Sequence, residues 1–292
     1  MFRGMLTTLL VVLGAYGTFI GALYVFQRGM MYVPGRERPS PTASGLPEMI
    51  PVEVRTEDGL ALTGWHRPAP PGRATMVYFH GNAGNIGDRG SKVRPYLDAG
   101  MGVLLAGYRG YGGNPGMPTE RGLYADARAW LRHLEHAGAG AADIVLYGES
   151  LGTGVAVQMA HEYAARGGAV AAVILEAPFS SMGAAAQTHY PYVPARWLVR
   201  DKFDSLSKIA DIAAPVFVFH GDADNVVPIR LGKRLFEAAR APKDSLWLPR
   251  ARHNDLYDHG AAAAVLEFLS RYLDRKGADL SAIPGKTGLI TP

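Results

Sequence analysis

Cysteine is absent from this chain of 292 residues. That single absence excludes disulfide bonds, thiolate metal sites and cysteine nucleophiles together. Serine is therefore the residue type left for covalent catalysis.

Charge is also sparse: 19% of the residues are charged and the net charge is +4. No segment interleaves a cluster of Lys and Arg with aromatic residues, so we expect no nucleic-acid partner. The mild positive excess favours anionic lipid headgroups as the partner of a basic surface. The length and the 48% hydrophobic content fit one large α/β domain with an appendage.

The N-terminus departs from globular composition, because Met5–Phe26 contains no charged residue. As a helix at about 1.5 Å per residue this run would span roughly 33 Å, which predicts a single-pass transmembrane anchor. A cleaved signal peptide is the alternative, since Ala15-Tyr16-Gly17 resembles a weak cleavage site, although the apolar run continues beyond it. Positively charged residues lie on both sides of the run. The positive-inside rule therefore favours a cytoplasmic catalytic domain only weakly, and the side of the membrane on which the domain lies stays open.

Composition divides the chain into four parts. Residues 1–33 are predicted to be the transmembrane anchor, and the Pro- and Ser-rich residues 34–51 a linker that lifts the domain off the membrane. Residues 52–274 form the catalytic domain, with a short lid around 178–214, and residues 275–292 form a flexible tail.

The domain opens with a hairpin signal around Asp58-Gly59 and then alternates buried apolar strands with helical stretches. This alternation predicts an α/β fold, a mostly parallel sheet with helices on both faces. The predicted strands are Thr75–Phe79, Val103–Ala106, Ile144–Tyr147, Val170–Leu175, Val216–Phe219 and Ser245–Leu248.

A G-x-S-x-G motif, Gly148–Gly152, lies between the strand Ile144–Tyr147 and a helical stretch that begins at Thr153. This context is typical of a nucleophile elbow, in which a serine is exposed on a strained strand-to-helix turn. Side chains at the two glycines would crowd the neighbouring strand and helix. Ser150 is therefore the candidate nucleophile.

A serine nucleophile needs a base, and in this arrangement the base follows the acid in the chain. His253 is the best placed histidine, because it lies in the loop between the last predicted strand and the last helix. His259 is the fallback, with a structural role at a helix start as its alternative. Loops at the carboxyl ends of parallel strands are where such sheets bind ligands.

The acid is expected in the loop after the preceding strand, which contains Asp222 and Asp224. Asp222 follows a glycine directly and is better explained as a turn residue whose carboxylate bonds nearby amides. We therefore assign Asp224 as the acid. A metal site at Asp-x-Asp is disfavoured because no further ligand follows at suitable spacing, and we expect neither a metal nor a cofactor.

Two backbone amides are expected to form the oxyanion hole. One belongs to Leu151, which follows the nucleophile at the start of a helix. The second is assigned to Asn82, in the loop after the first parallel strand. His80, at the start of that loop, is expected to brace it and not to act as the base.

Taken together, these motifs resemble the α/β-hydrolase superfamily and, within it, the membrane-anchored Bem46-like group. The resemblance implies a Ser150-Asp224-His253 triad and an N-terminal apolar anchor, in agreement with the residue-level assignments. It is carried by His80-Gly81-Asn82-Ala83-Gly84-Asn85, Tyr108-Arg109-Gly110-Tyr111-Gly112, Gly116-x-Pro118-x-Glu120-x-Gly122-Leu123, Gly148–Gly152, Gly221-x-x-Asp224-x-x-Val227-Pro228 and His253-Asn254-Asp255.

The expected function is a serine hydrolase that cleaves carboxylic ester or thioester bonds of an acyl or lipid substrate through an acyl-enzyme. Two alternatives stay open. One is a catalytically silent, membrane-tethered interaction module. The other is a serine peptidase on the same fold, disfavoured because the sequence has no propeller or large cap domain to screen peptides.

Overall fold

The structure is a computed structural model that describes residues 2–240 and 242–273. The predicted tail, 275–292, lies outside the described residues. The helices are α1 Phe2–Met31, α2 Gly90–Asp98, α3 Glu120–His136, α4 Leu151–Ala165, α5 Met182–His189, α6 Ala195–Leu198, α7 Ile229–Ala238 and α8 Ala261–Leu273. The strands are β1 Val33–Pro34, β2 Ile50–Arg55, β3 Ala61–Arg67, β4 Thr75–Phe79, β5 Ala83–Gly84, β6 Gly102–Leu105, β7 Ile144–Glu149, β8 Ala172–Glu176, β9 Val216–Gly221 and β10 Lys243–Leu248. Single 3₁₀ turns occur at Ile86–Arg89, Ala141–Asp143, Ile209–Asp211 and Leu256–His259.

The described residues form an eight-stranded sheet in the order β10-β9-β8-β7-β4-β6-β3-β2. The pairs from β10 to β6 are parallel, whereas β3 runs antiparallel to both β6 and β2. The hairpin predicted around Asp58-Gly59 is the β2–β3 pair. The predicted mostly parallel sheet is therefore confirmed.

The central strands are mostly apolar because each is buried on both faces. In β4, Val77 and Phe79 belong to one core, whereas Met76 and Tyr78 belong to the other. Helices α3, α4 and α7 pack on the first core, and α2 and α8 on the second. Thr119 caps the N-terminus of α3, because its hydroxyl accepts the N–H of Gly122 at 3.0 Å.

Helix α1 is long and apolar enough to cross a membrane, with a mean hydropathy of 2.1 and none of its residues buried. A signal sequence near the N-terminus would have the same length and composition. The helix is nevertheless part of the packed molecule, because its C-terminal half lies against the segment 178–214.

Residues 34–51, which the composition predicts to be a linker, pack against the domain. Leu46 and Met49 are buried, and Gly35 accepts the N–H of Gly112 at 2.7 Å. Strand β1 pairs with β5, in the loop that follows β4. The segment therefore fixes the end of α1 to the catalytic domain instead of holding the two apart.

Candidate active site

Ser150 lies on the turn between β7 and α4, with φ 49° and ψ −111°. This conformation is strained for any residue with a Cβ. The turn is held by the Ser150 N–H, which donates to the carbonyl of Glu176 at 2.8 Å, and by the Thr153 hydroxyl, which donates to the carbonyl of Ser150 at 2.6 Å. The turn therefore presents the Ser150 hydroxyl at the carboxyl edge of the sheet.

Two glycines make this turn possible. A Cβ at Gly148 would lie 2.5 Å from the carbonyl oxygen of Gly152, and a Cβ at Gly152 would lie 1.9 Å from the carbonyl oxygen of Phe79. Both contacts are with backbone, which cannot move aside cheaply. The steric reason that the motif predicts for these glycines is confirmed.

The structure brings Ser150, His253 and Asp224 into one hydrogen-bonded chain. His253 Nε2 lies 3.0 Å from Ser150 Oγ, and His253 Nδ1 lies 2.7 Å from Asp224 Oδ2. An imidazole in this position donates Nδ1–H to the carboxylate and accepts the serine proton at Nε2. The three side chains that the sequence singles out are therefore arranged as a nucleophile, a base and an acid require.

The Asp224 carboxylate has three hydrogen-bond partners besides His253. Its Oδ1 accepts the N–H groups of Val226 and Val227, both at 2.8 Å, and its Oδ2 faces His220 Nε2 at 3.0 Å as well as His253. Burial alone would raise the pKa of this carboxyl, but the hydrogen bonds from His220 and His253 outweigh burial and hold the pKa well below its usual range. Asp224 is therefore an anion at neutral pH.

Asp222 faces away from this chain. Its carboxylate accepts the backbone N–H of Arg250 at 2.6 Å, the turn role that its sequence position predicts. His259, the fallback base, ends the 3₁₀ turn Leu256–His259.

His220 is a contributor that sequence reasoning missed. It is fully buried at the end of β9, and its Nε2 also lies 2.8 Å from the carbonyl oxygen of Val227. The two acceptors, a carboxylate and a carbonyl, fix Nε2 as a hydrogen-bond donor. The available signal was its place four residues before Asp224, at the carboxyl end of a buried strand.

Asn82 and Leu151 border the same cavity as Ser150. Leu151 opens α4, so its N–H has no acceptor within the helix and points out of the helix start. Asn82 is held by its neighbours: its carbonyl accepts the Val33 N–H at 3.0 Å and the Tyr111 hydroxyl at 2.8 Å, and its Nδ2 donates to the carbonyl of Met31 at 2.9 Å. The second predicted donor therefore sits on a loop fastened to the end of α1.

His80 is buried beneath that loop. Burial, reinforced by the charge of Arg89, lowers the pKa of His80 to about 3, so its ring is neutral. Its Nδ1 lies 2.8 Å from the carbonyl oxygen of Gly81, and its ring packs on Tyr108. These contacts fit the bracing role expected from the sequence.

An apolar cavity of about 260 Å³ lies above Ser150. Most of its walls come from the C-terminal half of α1, the segment 178–214 and the loop that carries Asp224, and the loop after β4 and the turn after β7 complete them. The lining residues are Leu23, Tyr24, Gln27, Met30, Met31, Asn82, Ser150, Leu151, Phe179, Met182, Ala185, Ala186, His189, Tyr190, Val193, Ala195, Leu198, Val199, Val226 and Val227. The contribution of α1 was not foreseen from the sequence.

A buried ion cluster supports the turn from behind. Glu149 Oε2 pairs with Arg89 Nε at 2.6 Å, and Lys92 Nζ joins Glu149 at 3.1 Å to Glu176 at 2.5 Å. The Tyr147 hydroxyl donates to Glu176 at 2.6 Å. Burial opposes ionisation of Glu149, but the charges of Lys92 and Arg89 lower its pKa to about 2.

This cluster predicts how stability depends on pH. Because the folded pKa of Glu149 lies below its ordinary value of 4.5, its contribution is present above about pH 4.5 and is lost as the pH falls towards about 2. Lys92→Met would leave Glu149 with Arg89 as its ion-pair partner and would leave the buried Glu176 without the cation that it pairs with, a cost of about 3–5 kcal/mol near neutral pH. We expect thermal unfolding in detergent to show a lower Tm at neutral pH, with a smaller deficit near about pH 5, where a carboxyl can protonate.

The control for that experiment is Arg271→Met, which removes a solvent-exposed partner of Asp244. It should cost no more than about 1 kcal/mol at any pH. A Lys92→Met deficit that stays constant with pH, or that matches the Arg271→Met deficit, would contradict the role assigned to the cluster.

No group of three His, Asp or Glu side chains that could hold a metal ion occurs within residues 2–240 and 242–273. His133, one of two histidines on α3, lies 3.4 Å from the buried His66.

Comparison with known proteins shows which family the chain belongs to. The serine aminopeptidase (S33) hydrolase family matches residues 70–206. The human alpha/beta hydrolase domain-containing protein 17B is 32% identical over 73% of this chain and 71% of its own length. Protein bem46 of Schizosaccharomyces pombe is 31% identical over 86% of this chain and 88% of its own length. The chain is a Bem46-like α/β hydrolase.

Other relatives agree with that membership. An uncharacterized protein of Mycobacterium tuberculosis is 39% identical over 87% of this chain and 89% of its own length. Among solved structures, an esterase of Pyrococcus furiosus matches with a TM-score of 0.65 at 20% identity, covering 82% of this hydrolase and 99% of the esterase. That likeness shows the fold alone. The predicted fold and the resemblance to the Bem46-like group are confirmed.

Proposed function

We propose that this hydrolase cleaves carboxylic esters or thioesters of long-chain acyl groups, with Ser150 as nucleophile, His253 as general base and Asp224 as the acid that orients it. The observation that carries the proposal is the position of His253, within 3.0 Å of Ser150 Oγ and 2.7 Å of Asp224 Oδ2, at the floor of an apolar cavity. The apolar walls favour an acyl chain over a polar substrate.

The first half-reaction forms an acyl-enzyme. Ser150 Oγ attacks the acyl carbonyl carbon while His253 Nε2 takes the serine proton, and the N–H groups of Asn82 and Leu151 bind the resulting oxyanion. His253 then gives its proton to the departing alkoxide or thiolate. Asp224 stays ionised throughout and stabilises the imidazolium.

The second half-reaction repeats these steps with water. His253 takes a proton from a water molecule, the hydroxide attacks the acyl carbonyl of Ser150, and the proton returns to Ser150 Oγ as the carboxylic acid leaves. Helix α1 is proposed to anchor the enzyme in a membrane, which places the cavity close to lipids.

The match to a serine aminopeptidase family favours a second candidate, a peptidase. An aminopeptidase needs a carboxylate to hold the substrate ammonium, and no Asp or Glu lines the cavity among the described residues. The ester proposal fits the lining better for this reason.

The test combines turnover and labelling of the full chain in detergent. We expect p-nitrophenyl ester turnover to rise from acetyl through butyryl to octanoyl, because longer chains fill more of the apolar cavity. We also expect a fluorophosphonate probe to modify Ser150 by mass spectrometry. A strong preference for acetyl esters would contradict the long-chain assignment. Absence of both turnover and labelling would favour the silent interaction module.

A further inference from the structure

The C-terminal half of α1 is fastened to the segment 178–214. The Tyr16 hydroxyl donates to the carbonyl of Tyr192 at 2.6 Å. Gln27 makes two bonds to the backbone: its Nε2 donates to Leu198 at 3.3 Å, and its Oε1 accepts the Arg200 N–H at 2.7 Å. The helix and the lid therefore form one surface over a length of at least twelve residues of α1.

An ion pair secures the base of this contact. Arg28 makes two bonds to Asp201, from Nε at 2.7 Å and from a terminal nitrogen at 2.9 Å. The Asp201 side chain is only 5% exposed and that of Arg28 is 36% exposed, so a partly exposed guanidinium pairs with a buried carboxylate. Two-point guanidinium–carboxylate pairs fix orientation as well as distance.

The part of α1 that precedes its first contact with the lid is too short to cross a bilayer. Phe2–Ala15, the part before the first contact with the lid, contains 14 residues. At about 1.5 Å per residue it spans roughly 21 Å, whereas the hydrocarbon core is about 30 Å thick. If α1 spans the bilayer, about 9 Å of hydrocarbon must surround the part of α1 that carries the lid.

The lid exposes aromatic and basic residues of the kinds that contact lipids at the membrane boundary. Tyr192 and Trp197 are 89% and 78% exposed, although aromatic residues of this size are usually covered. Tyr and Trp are enriched where a membrane protein meets the boundary between hydrocarbon and headgroups. The exposed Arg196 and Arg200 flank them and can reach lipid phosphates. The Tyr192 carbonyl, which lipid could not satisfy, already accepts the Tyr16 hydroxyl.

We infer that the lid surface formed by residues 190–200 and the adjoining face of α1 lies within one leaflet of the bilayer, so that acyl chains reach Ser150 from the lipid. The cavity supports this, because it lies between the two inserted elements. Leu23 and Met30 of α1 line it together with Val193 and Leu198 of the lid. The anchor helix thus forms one wall of the acyl site. The path to Ser150 rests on the proposed hydrolase activity, whereas the insertion of the surface rests only on the proposed anchoring of α1 in a membrane.

The test of insertion uses the absence of cysteine, since any single cysteine can be spin-labelled alone in the full chain. Tyr192→Cys and Trp197→Cys are labelled and reconstituted in vesicles of phosphatidylcholine and phosphatidylglycerol. Ala137→Cys is the matched control, because Ala137 is exposed in the loop that leads to the amino end of the sheet, opposite Ser150. Collision of each label with molecular oxygen, which concentrates in lipid, is compared with collision with a water-soluble nickel chelate.

We expect the oxygen-to-nickel ratio to be several-fold higher at positions 192 and 197 than at 137. Equal ratios at all three positions would place the lid in water and overturn the proposal. Low collision with both reagents at 192 and 197 would mean that protein covers the surface, and it would also overturn it. These outcomes do not depend on enzymatic activity.

A separate activity assay tests whether acyl chains reach Ser150 from the leaflet. Tyr192→Asp and Trp197→Asp place a charge in the proposed leaflet without altering a residue that lines the cavity. We expect turnover of a vesicle-borne dodecanoyl ester to fall several-fold relative to turnover of soluble butyryl ester, with Ala137→Asp unchanged. An unchanged ratio in both lid variants would overturn the path. Loss of both substrates' turnover in the unmodified chain would instead count against the proposed hydrolase.

Discussion

Replacing Ser150 by alanine is expected to lower kcat/KM for a p-nitrophenyl ester by about 10⁴-fold or more. The variant removes Ser150 Oγ, which lies 3.0 Å from His253 Nε2 in the position of a nucleophile. Fold should be unaffected, because the strained turn is held by backbone contacts and not by the serine hydroxyl. Initial rates of ester hydrolysis measure the loss of turnover, and fluorophosphonate labelling measures the loss of the nucleophile, both on the full chain in detergent.

The matched control is Ser270→Ala, which deletes the same atom from α8, on the other face of the sheet. The Ser270 hydroxyl donates only to the carbonyl of Glu267. Activity and labelling should survive this change. If the Ser150 variant keeps its labelling, Ser150 is not the nucleophile and the proposed mechanism fails.

Asp224→Asn is expected to cost a comparable factor, about 10⁴ in kcat/KM. Oδ1 can keep its two backbone N–H donors, so the carboxamide NH₂ must occupy the place of Oδ2. There it faces His253 Nδ1 and His220 Nε2, both of which donate to the native carboxylate. His253 is driven to the tautomer that carries its proton on Nε2, where it cannot accept the proton of Ser150.

Asp222→Asn provides the control two residues away. Its carboxamide oxygen can still accept the N–H of Arg250, so turnover should change little. Comparison of kcat/KM for the two variants also tests the choice between the carboxylates. Equal losses from both substitutions would contradict the assignment of the acid to Asp224.

The parts of the site that the sequence predicts are those fixed by local geometry. The glycines around Ser150 indicate a tight turn that only small residues permit. The order of the β-strands brings the loops with Asp224 and His253 to one edge of the sheet. Local pattern also identifies Asp222 as a turn residue. Each of these inferences uses residues close together in the chain.

What the sequence could not provide depends on residues far apart in the chain. Glu149 and Lys92 are separated by more than fifty positions, and no local sequence pattern indicates that they form an ion pair. The uniform apolar run of α1 does not reveal which of its faces meets protein, and the first contact with the lid is made by Tyr16 within that run. The composition of residues 34–51 indicates a spacer, whereas burial of Leu46 and Met49 binds the segment down.

The attachment of Asn82 to the end of α1 has a mechanical consequence. Its Nδ2 and its carbonyl bond to Met31 and Val33, so the loop with a proposed oxyanion donor moves with the helix. A membrane helix answers a change in bilayer thickness by tilting. If α1 spans a membrane, its tilt would be transmitted to the Asn82 loop through these two hydrogen bonds. We therefore expect the catalytic rate to depend on the thickness of the membrane as well as on the substrate.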